Sequence, residues 1–315
     1  MAIRLGLGLP QMRQYAIGRD VPGVARAAEE TGYESLWVFE RILFPEPASQ
    51  GLYGIPGLPW PDAYRSVADP LVTLALAAAA TERARLGTSV LVAPLHIPFQ
   101  LARALASLDA ASGGRVVAGF GTGWSLDEYA AAAVAPFEKR GKVLDELIDV
   151  CHAVWGPDPV AYEGELTTIA PSIVGPKPKR PIPILLPANS PRALRRLVDR
   201  ADGWMPLGMG AEALATQRLQ ELAAERGRKE PVHSVLRVNT RRPPSAVCSW
   251  TAPPHRRSSP LSKTHASTTL RVRTRKTRPS PRGVRPARSR RRRRPVPGSW
   301  HPSSRRSGAS RPTPR

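Results

Sequence analysis

The hydrophobic residues of the first 238 positions fall into short apolar runs that alternate with longer amphipathic segments. Residues 3–9 form a compact apolar run closed by Pro10, which is typical of a buried strand. Residues 21–31 carry apolar side chains at helical spacing and are followed by Gly32, a common helix stop. The same pattern predicts further strands at residues 35–39, 85–92, 115–120, 183–186, 203–207 and 232–238. It predicts further helices at residues 70–81, 98–112, 139–155, 191–201 and 212–226.

Alternating apolar strands and helices are typical of an α/β fold, in which helices cover a parallel sheet. Such a sheet is either open and doubly wound or closed into a barrel, and the alternation alone leaves both open. Gly119, Gly121 and Gly123 suggest a dinucleotide-binding turn as a competing interpretation. That interpretation is weak, because the run lacks the third glycine that the motif places further on, before a clear helix. No acidic residue ends a following strand about 20 positions later either.

The stretch from residue 45 to residue 69 interrupts the alternation. It is rich in Gly and Pro and carries Tyr53, Trp60 and Tyr64. Loops of this length are uncommon in compact domains unless they have a function or are disordered. One interpretation is a substrate lid whose aromatic rings pack over a flat ligand, and the other is a surface excursion.

Charge divides the chain after residue 238. The net charge is +22, yet all 25 Asp and Glu residues precede Asn239, whereas 22 of the 47 Lys and Arg residues follow Val238. Residues 1–238 are therefore neutral and form the predicted barrel domain. Residues 239–315 are rich in Arg, Pro and Ser and contain the uninterrupted Arg run 290–294, so we expect a disordered basic tail.

Two interpretations of this tail remain. A basic arm would bind nucleic acid non-specifically by neutralising phosphates. Alternatively, an abrupt change to Arg, Pro, Ser and Thr without any acid is what a GC-rich gene yields when it is read out of frame. We place such a frameshift near residues 238–242.

Several classes of protein are disfavoured. Cys151 and Cys248 are too few and too distant for a disulfide framework or a metal site. The amino terminus lacks a secretory signal, and no apolar run approaches the ~20 residues of a membrane span. We therefore expect a cytoplasmic protein with neither a metal nor a membrane partner.

Longer motifs then narrow the assignment. The run PLHIPFQLARALASLD (94–109) leads into SGGR (112–115) and GFGTGW (119–124), and PILLPANSP (183–191) and ADGW (201–204) follow in order. This arrangement resembles the luciferase-like monooxygenase superfamily. The run WVFER (37–41) is similar to a branch of that family that uses the deazaflavin coenzyme F420.

The resemblance implies a TIM-type (β/α)8 barrel with its active site at the carboxyl ends of the strands. It also implies a last helix and an eighth strand, which the sequence after residue 238 does not show. We therefore expect an incomplete barrel in which strands one and seven have no partner between them, and a chain of low stability. Family barrels often carry a non-proline cis peptide bond at the end of strand three, which we place within residues 88–92.

The candidate site residues are those that follow the strands. The expected catalytic residues are Glu40, Arg41 and His96; Glu40 is the better candidate for proton transfer, because a guanidinium stays protonated at ordinary pH. Each has a structural alternative: Glu40 and Arg41 as an ion pair at the barrel mouth, and His96 as a helix-start residue. The expected cofactor-binding residues are Gly8, Val92, Gly121, Thr122, Gly123, Trp124, Ala188, Asn189 and Ser190. Asn189 and Ser190 precede a helix, where N–H groups favour phosphate, although Ser190 is also an ordinary helix cap.

These residues predict an oxidoreductase that transfers hydride between coenzyme F420 and a small-molecule substrate. The alternatives are an FMN-dependent monooxygenase that uses oxygen, an inactive truncated family member, and a nucleic-acid binder acting through its tail. Because family members commonly dimerise, a homodimer is also expected.

Overall fold

The computed structural model describes residues 3–12, 15–206, 212–228, 232–239 and 246–251, all within one compact unit, Met1–Arg257. Its strands are β1 (Ile3–Gly8), β2 (Ser35–Val38), β3 (Arg85–Thr88), β4 (Leu91–Val92), β5 (Val116–Gly121), β6 (Val160–Glu163), β7 (Thr168–Ser172), β8 (Ile184–Leu186), β9 (Gly203–Trp204), β10 (His233–Asn239) and β11 (Ala246–Thr251). Its α-helices are α1 (Ile17–Glu30), α2 (Pro70–Ala80), α3 (Pro98–Ala111), α4 (Leu126–Ala132), α5 (Arg140–Trp155), α6 (Pro191–Arg200) and α7 (Glu212–Glu225). Every strand and helix predicted from the sequence is present.

Local chemistry sets several helix starts. The side chains of Asp69, Ser125 and Ser190 each accept a backbone N–H group in the first turn of α2, α4 and α6. Such caps satisfy donors that would otherwise have no partner within the helix. In α2 and α6 the cap is followed by a proline, whose missing N–H group costs nothing at the first helical position.

Seven strands form the parallel wall of a barrel. β1 pairs with β2, β2 with β3, β3 with β5, β5 with β8, β8 with β9 and β9 with β10, all in parallel. These pairings confirm the predicted luciferase-like (β/α) barrel. The carboxyl ends of the strands lie together at one end, which we call the mouth, and the opposite end is the base.

Strand β11 lies between β1 and β10 and pairs with both in antiparallel orientation. With β3 also paired to β5, the sequence of pairings returns to its start and the barrel closes. The expectation that strands one and seven have no partner between them is therefore wrong. The reversal has a simple cause: only six residues, 240–245, join β10 to β11, and parallel neighbours need a connection of about a dozen or more.

The parallel eighth strand and its helix are not among the described residues. The strand that takes that position comes from the segment expected to form a disordered tail. The remainder of that segment, residues 252–315, lies outside the described part of the chain, so the frameshift and the basic arm stay predictions.

Two apolar cores hold the barrel. Inside it, Trp37, Val117 and Met205 pack in one buried cluster with Leu185 and Val235. Outside it, strand residues that face the opposite way, such as Leu36 and Phe120, belong to the large core shared with the helices. All four residues of β2 are buried, as expected for strands covered on both faces.

Three features differ from the sequence-based expectations. The predicted strand 85–92 is two strands, β3 and β4. The peptide bond between Ser89 and Val90, which lies between them, is a non-proline cis bond, and this confirms the position expected within residues 88–92. The hairpin of β6 and β7 and the short helix α4 were not predicted as elements. No helix within the described ranges combines the length and apolar character needed to cross a membrane.

Candidate functional site at the barrel mouth

Glu40 and His96 meet at the mouth. Glu40 follows β2 and its side chain is only 3% exposed, whereas His96 follows β4 and is 24% exposed. Glu40 Oε1 lies 2.9 Å from His96 Nε2, and Glu40 Oε2 accepts the backbone N–H of Val92 at 2.6 Å. Two predicted catalytic residues and one predicted cofactor residue therefore form one hydrogen-bonded group. His96 also lies just before α3, as the helix-start alternative expected. That position is compatible with its hydrogen bond to Glu40.

Arg41 pairs with Glu128 and not with Glu40. Its guanidinium bonds to Glu128 Oε2, and the other oxygen of Glu128 accepts the Ile42 N–H at 3.0 Å. Both side chains are nearly buried. Burial raises the pKa of the Glu128 carboxyl, and the negative charge of Glu40 acts in the same direction, whereas the positive charge of Arg41 opposes it. The alternative of a Glu40–Arg41 ion pair is therefore wrong. Glu40 pairs with His96, and Arg41 pairs with Glu128.

Aromatic rings cover Arg41. Its guanidinium carbon lies 4.8 Å from the ring centre of Trp124 and 5.8 Å from that of Trp60, within the range of cation–π attraction. Trp60 and Trp124 lie 5.0 Å apart, and Tyr53 contacts the Trp124 ring from another side at 5.5 Å. Because Tyr53 and Trp60 belong to the loop 45–69, this loop packs against the mouth, as the lid interpretation expects.

Backbone contacts hold the loop in place. Gln50 Nε2 donates to the Trp124 carbonyl at 2.8 Å, and Trp60 Nε1 donates to the Gln50 carbonyl at 3.1 Å. The indole N–H of Trp124 itself is buried and has no hydrogen-bond partner among the described residues. A buried donor without a partner is costly, so a bound molecule that accepts this hydrogen bond would be favoured.

Gly121, at the end of β5, and Gly123, two residues later, allow close contact with the segment 90–92. A Cβ at Gly121 would lie 2.6 Å from Val90 Cγ2, and one at Gly123, whose φ is +69°, would lie 2.5 Å from Val92 Cγ1. The predicted role of Gly121 was to let a flat ring approach the backbone. The structure shows that the space beside it is filled by Val90, so its first role is packing. Tyr129 donates its hydroxyl to the carbonyl of Thr122, which fixes the turn between these glycines and Trp124.

The segment after β8 supplies the last group of predicted residues. Ala188 is buried, and its carbonyl accepts the indole N–H of Trp204 at 3.3 Å. Asn189 and Ser190 are exposed, and Ser190 Oγ accepts the N–H of Ala193 as a helix cap. Since Pro191 has no N–H group, few donors remain in this turn, so the predicted phosphate contact rests mainly on exposed side chains and stays a prediction.

Sequence reasoning missed two supporting residues. Gln11 is buried and links the end of β1 to the turn after β2, donating to the Phe39 carbonyl at 2.7 Å and accepting the Phe39 N–H at 2.8 Å. Glu128 was not among the predicted site residues, and its pairing with Arg41, 87 positions earlier, has no signal in the local sequence. Gly8, the remaining predicted residue, ends β1 beside Trp37.

The comparisons with known proteins identify the family of the chain. The model of the luciferase-like monooxygenase family matches residues 7–277. An uncharacterized protein of Mycobacterium tuberculosis is 32% identical over 231 residues, which cover 72% of this chain and 81% of that protein. An F420-dependent glucose-6-phosphate dehydrogenase of Nakamurella multipartita is 31% identical over 203 residues, or 64% of this chain. The chain spans about half, 55%, of the length of that dehydrogenase.

A solved structure has the same fold. An F420-dependent secondary alcohol dehydrogenase in complex with an F420–acetone adduct superposes with a TM-score of 0.60. The sequences are 19% identical, and the match covers 75% of this chain and 68% of the dehydrogenase. The motifs, the barrel and the family match lead to one conclusion: the chain belongs to the luciferase-like monooxygenase family and has the fold of its oxidoreductases.

Proposed function

We propose that the barrel mouth catalyses hydride transfer between coenzyme F420 and a small organic substrate, with His96 and Glu40 handling the proton. The observation that carries the proposal is the hydrogen bond between Glu40 and His96 where β2 and β4 end. The F420-dependent relatives support it, since they share the family and about 30% of their residues over the matched region.

The proton chemistry follows from the tautomer of His96. If Nε2 carries the hydrogen and donates it to the carboxylate of Glu40, then Nδ1 is left with a lone pair. When a hydroxyl group is oxidised to a carbonyl, the carbon loses a hydride and the oxygen loses a proton. Nδ1 of His96 accepts that proton, and Glu40 stabilises the resulting imidazolium. In the reverse direction, His96 returns the proton to the developing alkoxide.

The residues at the mouth fit a flat, polar cofactor. The unpartnered indole N–H of Trp124 offers a hydrogen bond, and the nearby rings of Tyr53 and Trp60 offer apolar surface. Ala188, Asn189 and Ser190 lie after β8 at the same end of the barrel, where they would contact the anionic part of the cofactor. A deazaflavin bound here supplies a carbon centre that carries hydride and reacts poorly with oxygen.

Arg41 and Glu128 act as positioning residues in this proposal. Glu128 neutralises Arg41, and the Trp124 ring lies against the guanidinium, so the ring has a defined position. A ring held in one place costs less conformational entropy when a ligand binds.

Titration of the full chain with coenzyme F420, followed by cofactor fluorescence, tests binding. Turnover with a panel of alcohols tests chemistry. The variant His96→Gln should bind F420 with unchanged affinity but lose at least about 100-fold in turnover, the usual size of a lost acid–base contribution. The control is His152→Gln, because His152 is an exposed histidine on α5. Unchanged turnover in His96→Gln would refute the assignment of His96.

The second candidate is an FMN-dependent monooxygenase, favoured by the description of the family itself. The same barrel mouth would then hold FMN. Binding of FMN in preference to F420, together with oxygen consumption when the bound FMN is reduced, would support this candidate over the first. The homodimer remains a proposal that the oligomeric state in solution will test.

A further inference from the structure

A cavity lies at the base, at the opposite end of the barrel from Glu40 and His96. It has a volume of about 320 Å³, within the lower range of small-molecule sites. Its walls come from the start of β1, the turn between α1 and β2, and the residues just before β3. The charged lining residues are Arg4, Glu29, Glu34, Arg83 and Arg85.

The two acidic residues of the lining are already engaged. The carboxylate of Glu29 accepts three backbone N–H groups, from Glu82 at 3.0 Å, Arg83 at 2.7 Å and Ala84 at 2.6 Å. Glu34 forms an ion pair with Arg4 at 3.2 Å. The lining therefore holds three guanidinium groups and two carboxylates, an excess of positive charge.

Arg85 shows the effect of that excess. It is half-buried where β3 begins. Burial lowers the pKa of its guanidinium, and the positive charges of Arg4 and Arg180 lower it further, whereas the negative charge of Glu34 opposes them. With three arginines and two glutamates, the lining carries a formal charge of +1, and an anion would reduce the repulsion among these arginines.

We infer that the basal cavity binds a small multivalent oxyanion of the phosphate type. Guanidinium groups form paired, charge-assisted hydrogen bonds to phosphate oxygens, and three of them line one cavity of suitable size. Because Arg4 belongs to β1 and Arg85 to β3, such an anion links two strands on either side of β2. A ligand that binds only the folded barrel raises its stability by mass action.

Calorimetric titration and thermal melting of the full chain with sodium pyrophosphate at fixed ionic strength test this inference. Pyrophosphate should bind and raise the melting temperature. Arg83→Gln should weaken binding about tenfold, as expected for one charged hydrogen bond. The matched control is Arg103→Gln, which changes an exposed arginine on α3 and should leave binding unchanged. Citrate in place of pyrophosphate tests whether a polycarboxylate is accepted equally well.

The basic residues after Asn239 also attract anions, but they are the same in every variant, so differences between variants report the cavity. Arg85→Gln should weaken binding more than Arg83→Gln, provided that it folds. If it does not, Arg83→Gln decides, because Arg83 is exposed and its loss should not affect folding. Equal affinity of Arg83→Gln and the unaltered chain, or an unchanged melting temperature with pyrophosphate, would overturn the inference.

Discussion

Gly121→Ala tests whether close contact between β5 and the segment after β3 limits the barrel. The new Cβ would lie 2.6 Å from Val90 Cγ2, about 1 Å closer than carbon atoms normally approach. The next neighbours, Val90 Cβ at 3.6 Å and Pro187 Cγ at 3.8 Å, are at ordinary distances. One methyl group therefore accounts for the whole conflict. Overpacking of this kind should lower the free energy of unfolding by about 1–3 kcal/mol.

Urea denaturation of four chains isolates the cause: the unaltered chain, Gly121→Ala, Val90→Ala and the double variant. Val90→Ala removes Cγ2, so Gly121→Ala should cost little in that background, and the coupling energy should equal most of the single-variant loss. The matched control is Gly23→Ala in α1, where a Cβ meets no atom within 4 Å. Alanine there should stabilise the chain by about 0.5–1 kcal/mol, because glycine is costly inside a helix. Equal losses from Gly121→Ala in both backgrounds would refute the role of Val90.

Three further predictions follow from charges and caps, each measured by urea denaturation. Glu128→Gln leaves the nearly buried Arg41 without its counter-charge and should cost about 3 kcal/mol, whereas a loss below 1 kcal/mol would show that water replaces the carboxylate. Burial raises the pKa of Glu29, but three backbone N–H bonds outweigh it and hold the pKa below 4.5. Its ionised form therefore stabilises the fold above about pH 4.5 and loses that effect as pH falls through the folded-state pKa, so the stability lost in Glu29→Gln should be smaller at pH 3 than at pH 7, and equal losses would contradict this reason. Ser190→Ala should cost about 1 kcal/mol by removing the cap of α6, and an equal loss in Ser107→Ala, away from any helix start, would contradict this reason.

The elements of the barrel were predictable because each is coded locally. The alternation of apolar runs and amphipathic segments placed the strands and helices, and the family motifs placed the cis peptide bond within five residues. The strand β11 was not predictable in the same way. It lies in a segment of basic and Pro-rich composition, and only three of its six residues, Val247, Trp250 and Thr251, are strand-forming. Its place in the barrel depends on the edges of β1 and β10, which would be unpaired without it. Those edges face each other only in the folded barrel, so the local sequence does not encode them.

The site was predictable as a set of positions but not as a set of contacts. Residues that follow parallel strands meet at the mouth, so Glu40, Arg41 and His96 were expected to lie there together, and Glu40 and His96 form a hydrogen bond. Which of them pair is decided by side chains more than 50 positions apart, such as Glu40 with His96 and Arg41 with Glu128. Sequence adjacency suggested a Glu40–Arg41 pair, but neighbouring residues after a strand point in different directions.

The reversed strand affects one sector of the barrel and leaves the candidate site on the other side. Because β11 is antiparallel, its amino end lies at the mouth and its carboxyl end at the base, so β11 brings no carboxyl end to the mouth. Around the ring of pairings, β5 is the strand farthest from β11 in both directions. Glu40, His96, Trp124 and Glu128 all follow β2, β4 or β5, and only Gly8 on β1 borders the changed sector. Within the described residues, the antiparallel β11 in place of a parallel eighth strand therefore bears on the wall between β10 and β1, whereas the hydrogen bond proposed to serve catalysis does not involve it.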